Sequence, residues 1–258
     1  MLMRHHLFLL KELVKRDVQS RYAGSWLGLL WSFVQPLWML ALYTFVFSWV
    51  LKISPVGVRS ASFASFLFCG LLPWMAVQEG VMRASTSITD NAALVKKLRF
   101  PAEILVLSVV VAALVHEAIA GAIFLGALAW TGDLSWQGLP LLLVAVPLQI
   151  ALTLGLGLLL AAVHVFFRDT AQVLGMALTG WFYLTPIVYP LAYVPGPLQR
   201  WIALNPLTAL VELYRQALLG GEAGLGSAAL VLIAATVVLL SAGFWLFSRL
   251  KVAFVDEI

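Results

Sequence analysis

Six long apolar runs dominate the chain, at about 27–51, 62–88, 102–130, 139–166, 171–193 and 225–248. Each contains or exceeds the roughly 20 residues that an α-helix needs to cross a hydrocarbon core. None shows the short alternation of a membrane β-strand, so the spans are predicted to be helices. The fifth run is the least regular: Pro186 and Pro190 interrupt it, and Tyr183, Tyr189 and Tyr193 make its second half less apolar. Ahead of the runs, residues 5–21 have a helical period of a different kind. At about 100° per residue, Leu7, Leu9, Leu10, Leu13, Val14 and Val18 cover one half of the helix. Lys11, Glu12, Lys15 and Arg16 cover the other, with Phe8 and Asp17 as exceptions. A basic amphipathic helix of this type is expected to lie in the membrane interface and not to span it.

Two connections are more than turns. The stretch Asp90 to Pro101, DNAALVKKLRFP, has Asp90 as a candidate N-cap, Lys96 and Lys97 in its last turn and Pro101 as a stop. It reads as a short helix over 90–100, too short to be stable alone in water. Leu94, Val95 and Leu98 would suit a docked partner, whereas a solvated charged turn would not need them. The second connection, from about Tyr193 to Gly224, is mostly apolar but broken at Pro195-Gly196-Pro197 and at Asn205-Pro206, and Leu207 to Leu219 is helical up to Gly220-Gly221. A helical hairpin over 196–221 is too short to span, which suggests a re-entrant or interfacial element; the alternative is an ordinary exposed loop.

Composition agrees with a membrane protein: 258 residues, 62% apolar and 11% charged, with a mean hydropathy of +0.99. The single cysteine, Cys69, lies in an apolar run, which excludes an intrachain disulfide and suggests no thiol metal site. No cleavable leader is expected, since the first run of spanning length begins only after Arg21 and no small-residue cleavage site follows it. The net charge of +4 points to orientation more than to nucleic acid. With both termini inside, twelve of the sixteen Lys and Arg are cytoplasmic, and Lys52, Arg59, Arg200 and Arg215 lie outside, as the positive-inside rule requires. The chain is thus read as one all-α transmembrane unit over 1–258, N-in and C-in.

Within the first run Trp31, Trp38, Phe45 and Trp49 recur at spacings of seven, seven and four, and with Gln35 and Leu42 they fall within a sector of about 80°. Interface anchoring explains Trp31 and Trp49. A lined passage would also explain Gln35, Trp38 and Phe45 at depth.

Ionisable groups within spans cost about 2.5–3.5 kcal/mol on insertion scales, so Glu79, His116 and Glu117 need partners or a role. Glu79 has Arg83 one turn away. For His116 and Glu117 the candidates are Gln149 or another subunit, and interhelical hydrogen bonding competes with a proton relay. An ion-coupled carrier or an intramembrane enzyme built on His116 and Glu117 is the alternative from another functional class. The chain has no HExxH, no GxSxG, no metal-ligand cluster and no GxxxxGK[ST] phosphate loop, so no catalytic or metal residue is assigned. Energy for uphill transport must come from another chain or from an ion gradient.

Six motifs then carry a resemblance: RDVQSRYAGSWLGLLW (Arg16–Trp31), FCGLLPW (Phe68–Trp74), DNAALVKKLRFPAEIL (Asp90–Leu105), FFRD (Phe166–Asp169), TPIVYP (Thr185–Pro190) and LNPLTALVELYRQALLGG (Leu204–Gly221). In this order and at these spacings, the chain resembles the membrane subunit of ABC-2-type polysaccharide exporters, which export O-antigens, teichoic acids and capsules. The resemblance implies a six-span half-transporter of the bacterial inner membrane that homodimerises and carries two copies of an ABC ATPase subunit. ATP and Mg would sit on that partner, with no cofactor on this chain. The cargo would be a lipid-linked polysaccharide, O-antigen first, with capsule or teichoic acid as alternatives. The drug-export branch, with its large extracytoplasmic domain, finds no room here. Residues 5–21 with Lys11, Lys15 and Arg16, and the loop with Asp90, Leu94, Val95, Lys96, Lys97, Leu98 and Arg99, would contact the ATPase. The 196–221 hairpin would cap the exit. Trp31, Gln35, Trp38, Phe45 and Trp49 would line the passage, joined by Phe66, Trp74, Trp181 and Tyr183. Aromatic rings stack on the apolar faces of sugars, and weak repeated sites suit a moving polymer.

Overall fold

The computed structural model describes residues 2–21, 30–50, 63–97, 101–220 and 227–258; among them every regular element is a helix. In chain order these are α1 (Leu2–Arg21), α2 (Trp31–Tyr43) continuing as a π-helical segment (Thr44–Val50), α3 (Phe63–Asp90), α4 (Ala92–Lys97) and α5 (Glu103–Thr131). A 3₁₀ turn (Leu139–Leu141) then leads into α6 (Leu142–Phe166), followed by α7 (Thr170–Leu184), α8 (Gly196–Ala203), α9 (Pro206–Leu219), α10 (Ser227–Leu250) and α11 (Phe254–Glu257). Leu98 and Arg99, and the side chains of Gln35 and Lys97, lie outside the described residues.

Among the described residues, four helices are long and apolar enough to cross a membrane: Phe63–Asp90, Glu103–Thr131, Leu139–Phe166 and Ala229–Leu250. At the extremes, burial runs opposite to hydropathy. α3 is the least apolar of the four and the most enclosed, while α10 is the most apolar and the most exposed. The reason is the solvent each one meets: a helix surrounded by other helices can carry Ser, Thr and Gln, and one facing lipid cannot.

Two apolar clusters stack along the bundle. One joins the first half of α3 with Phe124, Leu128, Leu152, Leu178 and the buried face of α9. The other joins the end of α3 and start of α5 with Leu158, Val165, Phe247, Phe254 and Leu13 of α1. The bundle therefore has an α9 end and an α1 end. At the α1 end, α1 sits on the protein through Leu9, Leu10 and Leu13, leaving Lys11, Glu12, Lys15 and Arg16 exposed. Leu7, placed by periodicity on the apolar face, is exposed as well.

The fifth apolar run departs from a simple span. α7 ends at Leu184, and 15 residues rise only about 22 Å. Pro186 excludes the helical conformation from the residue before it, and Thr185 is accordingly extended, with φ −100° and ψ 130°. The chain then turns through Tyr193 into α8 and α9.

Candidate functional site

α2 offers an open aromatic surface. Pro36, Met39 and Leu40 are its partly buried positions, with Met39 and Leu40 packed on the core. Trp31, Trp38, Leu42, Phe45 and Trp49 lie on the face turned away from them, Trp38 67% and Trp49 71% exposed. Thr44 donates its hydroxyl to the Leu40 carbonyl at 2.7 Å where the helix loosens into its π-helical segment. Beyond that point Phe45 and Trp49 remain neighbours, with ring centroids 6.4 Å apart.

The other aromatic residues expected along the passage divide. Tyr183 is exposed at the end of α7. Trp181 is half-buried and donates its Nε1–H to Asn205 Oδ1 at 2.9 Å. Phe66 and Trp74, 5% and 3% exposed, are enclosed within the protomer and present it no open wall. Phe66 instead lies 3.6 Å beneath the guanidinium of Arg215, and Trp74 meets Phe182 edge-on at 5.6 Å while donating to Gln78 at 2.8 Å.

The hairpin is held at its base and along its second arm. Asn205 caps α9, its Oδ1 accepting from Leu207 N at 3.0 Å, and Pro206 occupies the first helical position, where no N–H is needed. The same side chain donates to Thr185 Oγ1 at 2.9 Å, so one residue ties the cap of α9 to the end of α7. Along α9, Tyr214 donates to Gln149 Oε1 at 2.5 Å, and Arg215 donates to the carbonyls of Ile187 at 2.9 Å and Phe66 at 3.4 Å. Glu212 stands 3.7 Å from Arg215. Arg215, which the orientation count treats as an outside cation, is buried. A lone Arg amid the apolar run Leu207–Leu219 was the signal for this in the sequence.

At the α1 end, α4 is a single turn and a half. Leu94 and Val95 face inward against the core, while Ala93 and Lys96 are exposed. Asp90 is not its N-cap: it is the last residue of α3 and accepts from Thr86 Oγ1 at 2.7 Å. Asn91 opens α4, its carbonyl accepting from Leu94 N and Val95 N and its amide donating to Ser87 O at 2.9 Å. Arg16 of α1 donates to Asn91 Oδ1 at 2.9 Å.

The buried polar groups find partners across helices. Gln149 donates to Glu117 Oε2 at 2.6 Å, beside an apolar cavity of about 300 Å³ between α3, α5, α6 and α9. His116 turns the other way, its Nδ1 3.1 Å from Glu79 Oε1. Glu79 also pairs with Arg83 at 3.3 Å, and Arg83 Nη2 reaches Asp17 of α1. Periodicity suggested Arg21 for Asp17; the Arg21 side chain lies outside the described residues. Among the described residues no three His, Cys, Asp or Glu gather as metal ligands.

Comparison with known proteins converges on one group. The profile of the ABC-2 type transporter family matches residues 9–219. The O-antigen export system permease protein RfbA of Myxococcus xanthus is 33% identical over 252 residues, covering 97% of this chain and 95% of that protein. The protein of the same name from Klebsiella pneumoniae is 28% identical, covering 96% and 94%. The polysialic acid transport protein KpsM of Escherichia coli is 25% identical over 240 residues, covering 92% and 91%.

Proposed function

The chain belongs to the ABC-2 type transporter membrane family, and from that premise we propose that it is the permease that carries a lipid-linked O-antigen polysaccharide across the bacterial inner membrane. The observation that carries this reading is the similarity, over nearly the whole of both chains, to permeases named for O-antigen export. The capsule exporter is the second reading, favoured only by the more distant KpsM relatives.

The protein works as one half of a two-fold assembly, six spans to each half with both termini inside, and with one ATPase on each protomer. α2 and α7 with the hairpin behind it complete the six spans, α2 having too few described residues and α7 being too short to count by length alone. The α1 end carries Lys11, Lys15, Arg16, Lys96, Arg168, Arg249 and Lys251, the sign expected of a cytoplasmic face. There the partner supplies the chemistry of ATP hydrolysis with its Mg, and this chain supplies α1 and the exposed side of α4. The open face of α2, with Tyr183, forms the sugar-facing wall. Phe66 and Trp74 are the layer that keeps α3, α7 and α9 in place behind it. A dimer is the natural closure of this face, since a single protomer leaves many large apolar side chains of α2 and its π-helical continuation exposed.

The test is to express the chain in cells lacking their own exporter, with its cognate ATPase and the enzymes that build the polymer, and to measure surface polysaccharide. Polymer should reach the surface with the intact ATPase and stay inside with a hydrolysis-dead one. Export that continues without ATP hydrolysis and collapses in Glu117→Gln would instead indicate an ion-coupled carrier.

A further inference from the structure

Four charged or titratable side chains on three helices form one continuous line at the α1 end. Asp17 on α1 meets Arg83 Nη2 on α3. The other arm of the same guanidinium, Nη1, stands 3.3 Å from Glu79 Oε1 one turn along α3, and that oxygen is 3.1 Å from His116 Nδ1 near the middle of α5. None of the four is freely exposed: side-chain exposures are 16%, 33%, 21% and 12%. The line is not needed to seat α1, because Leu9, Leu10 and Leu13 already dock it on the core. Replacing a partly buried ion pair by apolar residues commonly leaves a protein as stable or more so, which makes fold stability a weak reason for this arrangement. Its geometry suits another task. The residue before Asp17 in the chain, Arg16, holds Asn91 at the start of α4. One turn of α1 is thus fixed both to α4 and to a line that ends deep in α5.

We propose that Asp17, Arg83, Glu79 and His116 are positioning residues that transmit displacement of α1 to α3 and α5, so that ATP turnover by the partner is converted into movement of the polymer. The proposal rests on the reading of α1 and α4 as the ATPase-facing elements. When α1 shifts, Arg83 loses Asp17 and is shared less evenly between its two carboxylates. Glu79 is drawn toward it and away from His116, and the contact between α3 and α5 changes at mid-span. Arg83 is essential because its planar fork reaches two acceptors on different helices at once, which the single ammonium of a lysine does not.

The experiment reconstitutes permease and ATPase in liposomes and measures ATP hydrolysis and polymer translocated per ATP. Asp17→Asn and Arg83→Lys are expected to assemble and hydrolyse ATP within about two-fold of the parent while polymer per ATP falls about tenfold. Asp17→Glu should restore it. In the double variant Asp17→Asn with Glu79→Gln the loss should be no greater than in the worse single variant, since both break one line. Unchanged polymer per ATP in Asp17→Asn and Arg83→Lys, or fully additive losses in the double variant, would overturn the line alone. Failure of the parent chain to bind the ATPase would overturn the line together with the reading on which it rests.

Discussion

Asn205 shows how much one side chain holds at the α9 end. It caps α9, bonds Thr185 and receives the indole of Trp181. Asn205→Ala removes all three contacts, and about 1–2 kcal/mol of stability is expected to go with the cap alone. A lowered thermal midpoint of the detergent-solubilised protein, with the hairpin cut more readily by protease, would be the signature. Arg215→Lys should be worse tolerated than its charge suggests, because an ammonium cannot lie flat on Phe66 while reaching the carbonyls of Ile187 and Phe66. Its yield of folded protein should fall well below that of Arg200→Lys, an exposed control on α8. Contacts within one helix were legible in the sequence, as the Glu79–Arg83 pair illustrates, because spacing fixes which side chains share a face. Gln149 was also among the candidate partners for the mid-span acid. The pairs Asp17–Arg83 and His116–Glu79 were not legible: they depend on which helices are neighbours and at what height, and apolar periodicity carries no such information. The burial of Arg215 was missed for the same reason, since counting charges by loop assumes that every loop residue meets water.

At the scale of elements, the tightest contact is between α6 and α10. A Cβ on Gly155 would stand 2.6 Å from Leu240 N, and one on Gly243 would stand 2.2 Å from the Gly155 carbonyl oxygen. Small residues let two helices in lipid approach until their backbones touch. Gly155→Val or Gly243→Val should therefore force the pair apart and lower stability by about 1–3 kcal/mol, measurable as lost yield and a lower unfolding midpoint. Gly126→Ala, where a Cβ meets open space, should leave both unchanged. The long regular helices were legible because a membrane allows few alternatives for an apolar run. In the fifth run two signals compete: the apolar count argues for a span, while Thr185-Pro186 ends the helix at Leu184. α4 carries a prediction of its own. Ala93→Asp and Lys96→Glu alter its exposed side and should abolish association with the ATPase at normal permease abundance. Leu94→Asp or Val95→Asp would also unseat α4 from the core and so reduce abundance. Co-purification of the two subunits, normalised to permease, separates these outcomes.

At the scale of the whole molecule, the described residues form two apolar cores, with the central helix α3 running through both. One core carries α9 and the end of α7; the other carries α1, α4 and the C-terminal helix α11, whose Phe254 meets Phe247 edge-on at 5.2 Å. Force applied at the α1 end therefore has a stiff route to the α9 end, and the face of α2 lies alongside that route without belonging to either core's interior. Outside that core, Lys11, Glu12, Lys15 and Arg16 of α1 and Lys96 of α4 stand exposed, as suits a surface awaiting a partner. The aromatic period of α2 was visible in the sequence, but its meaning was not, because an anchoring stripe and a lining stripe have the same spacing. Exposure away from the packed side fits both, and a photoreactive side chain can decide between them. Placed at position 38 and, as a control, at position 237 on the open apolar side of α10, the label would be activated during ATP-driven export and the adducts probed for polysaccharide. Polymer attached at position 38 and absent at 237 is the predicted result. Lipid adducts alone at position 38, while polymer is reaching the far side, would contradict the sugar-facing wall.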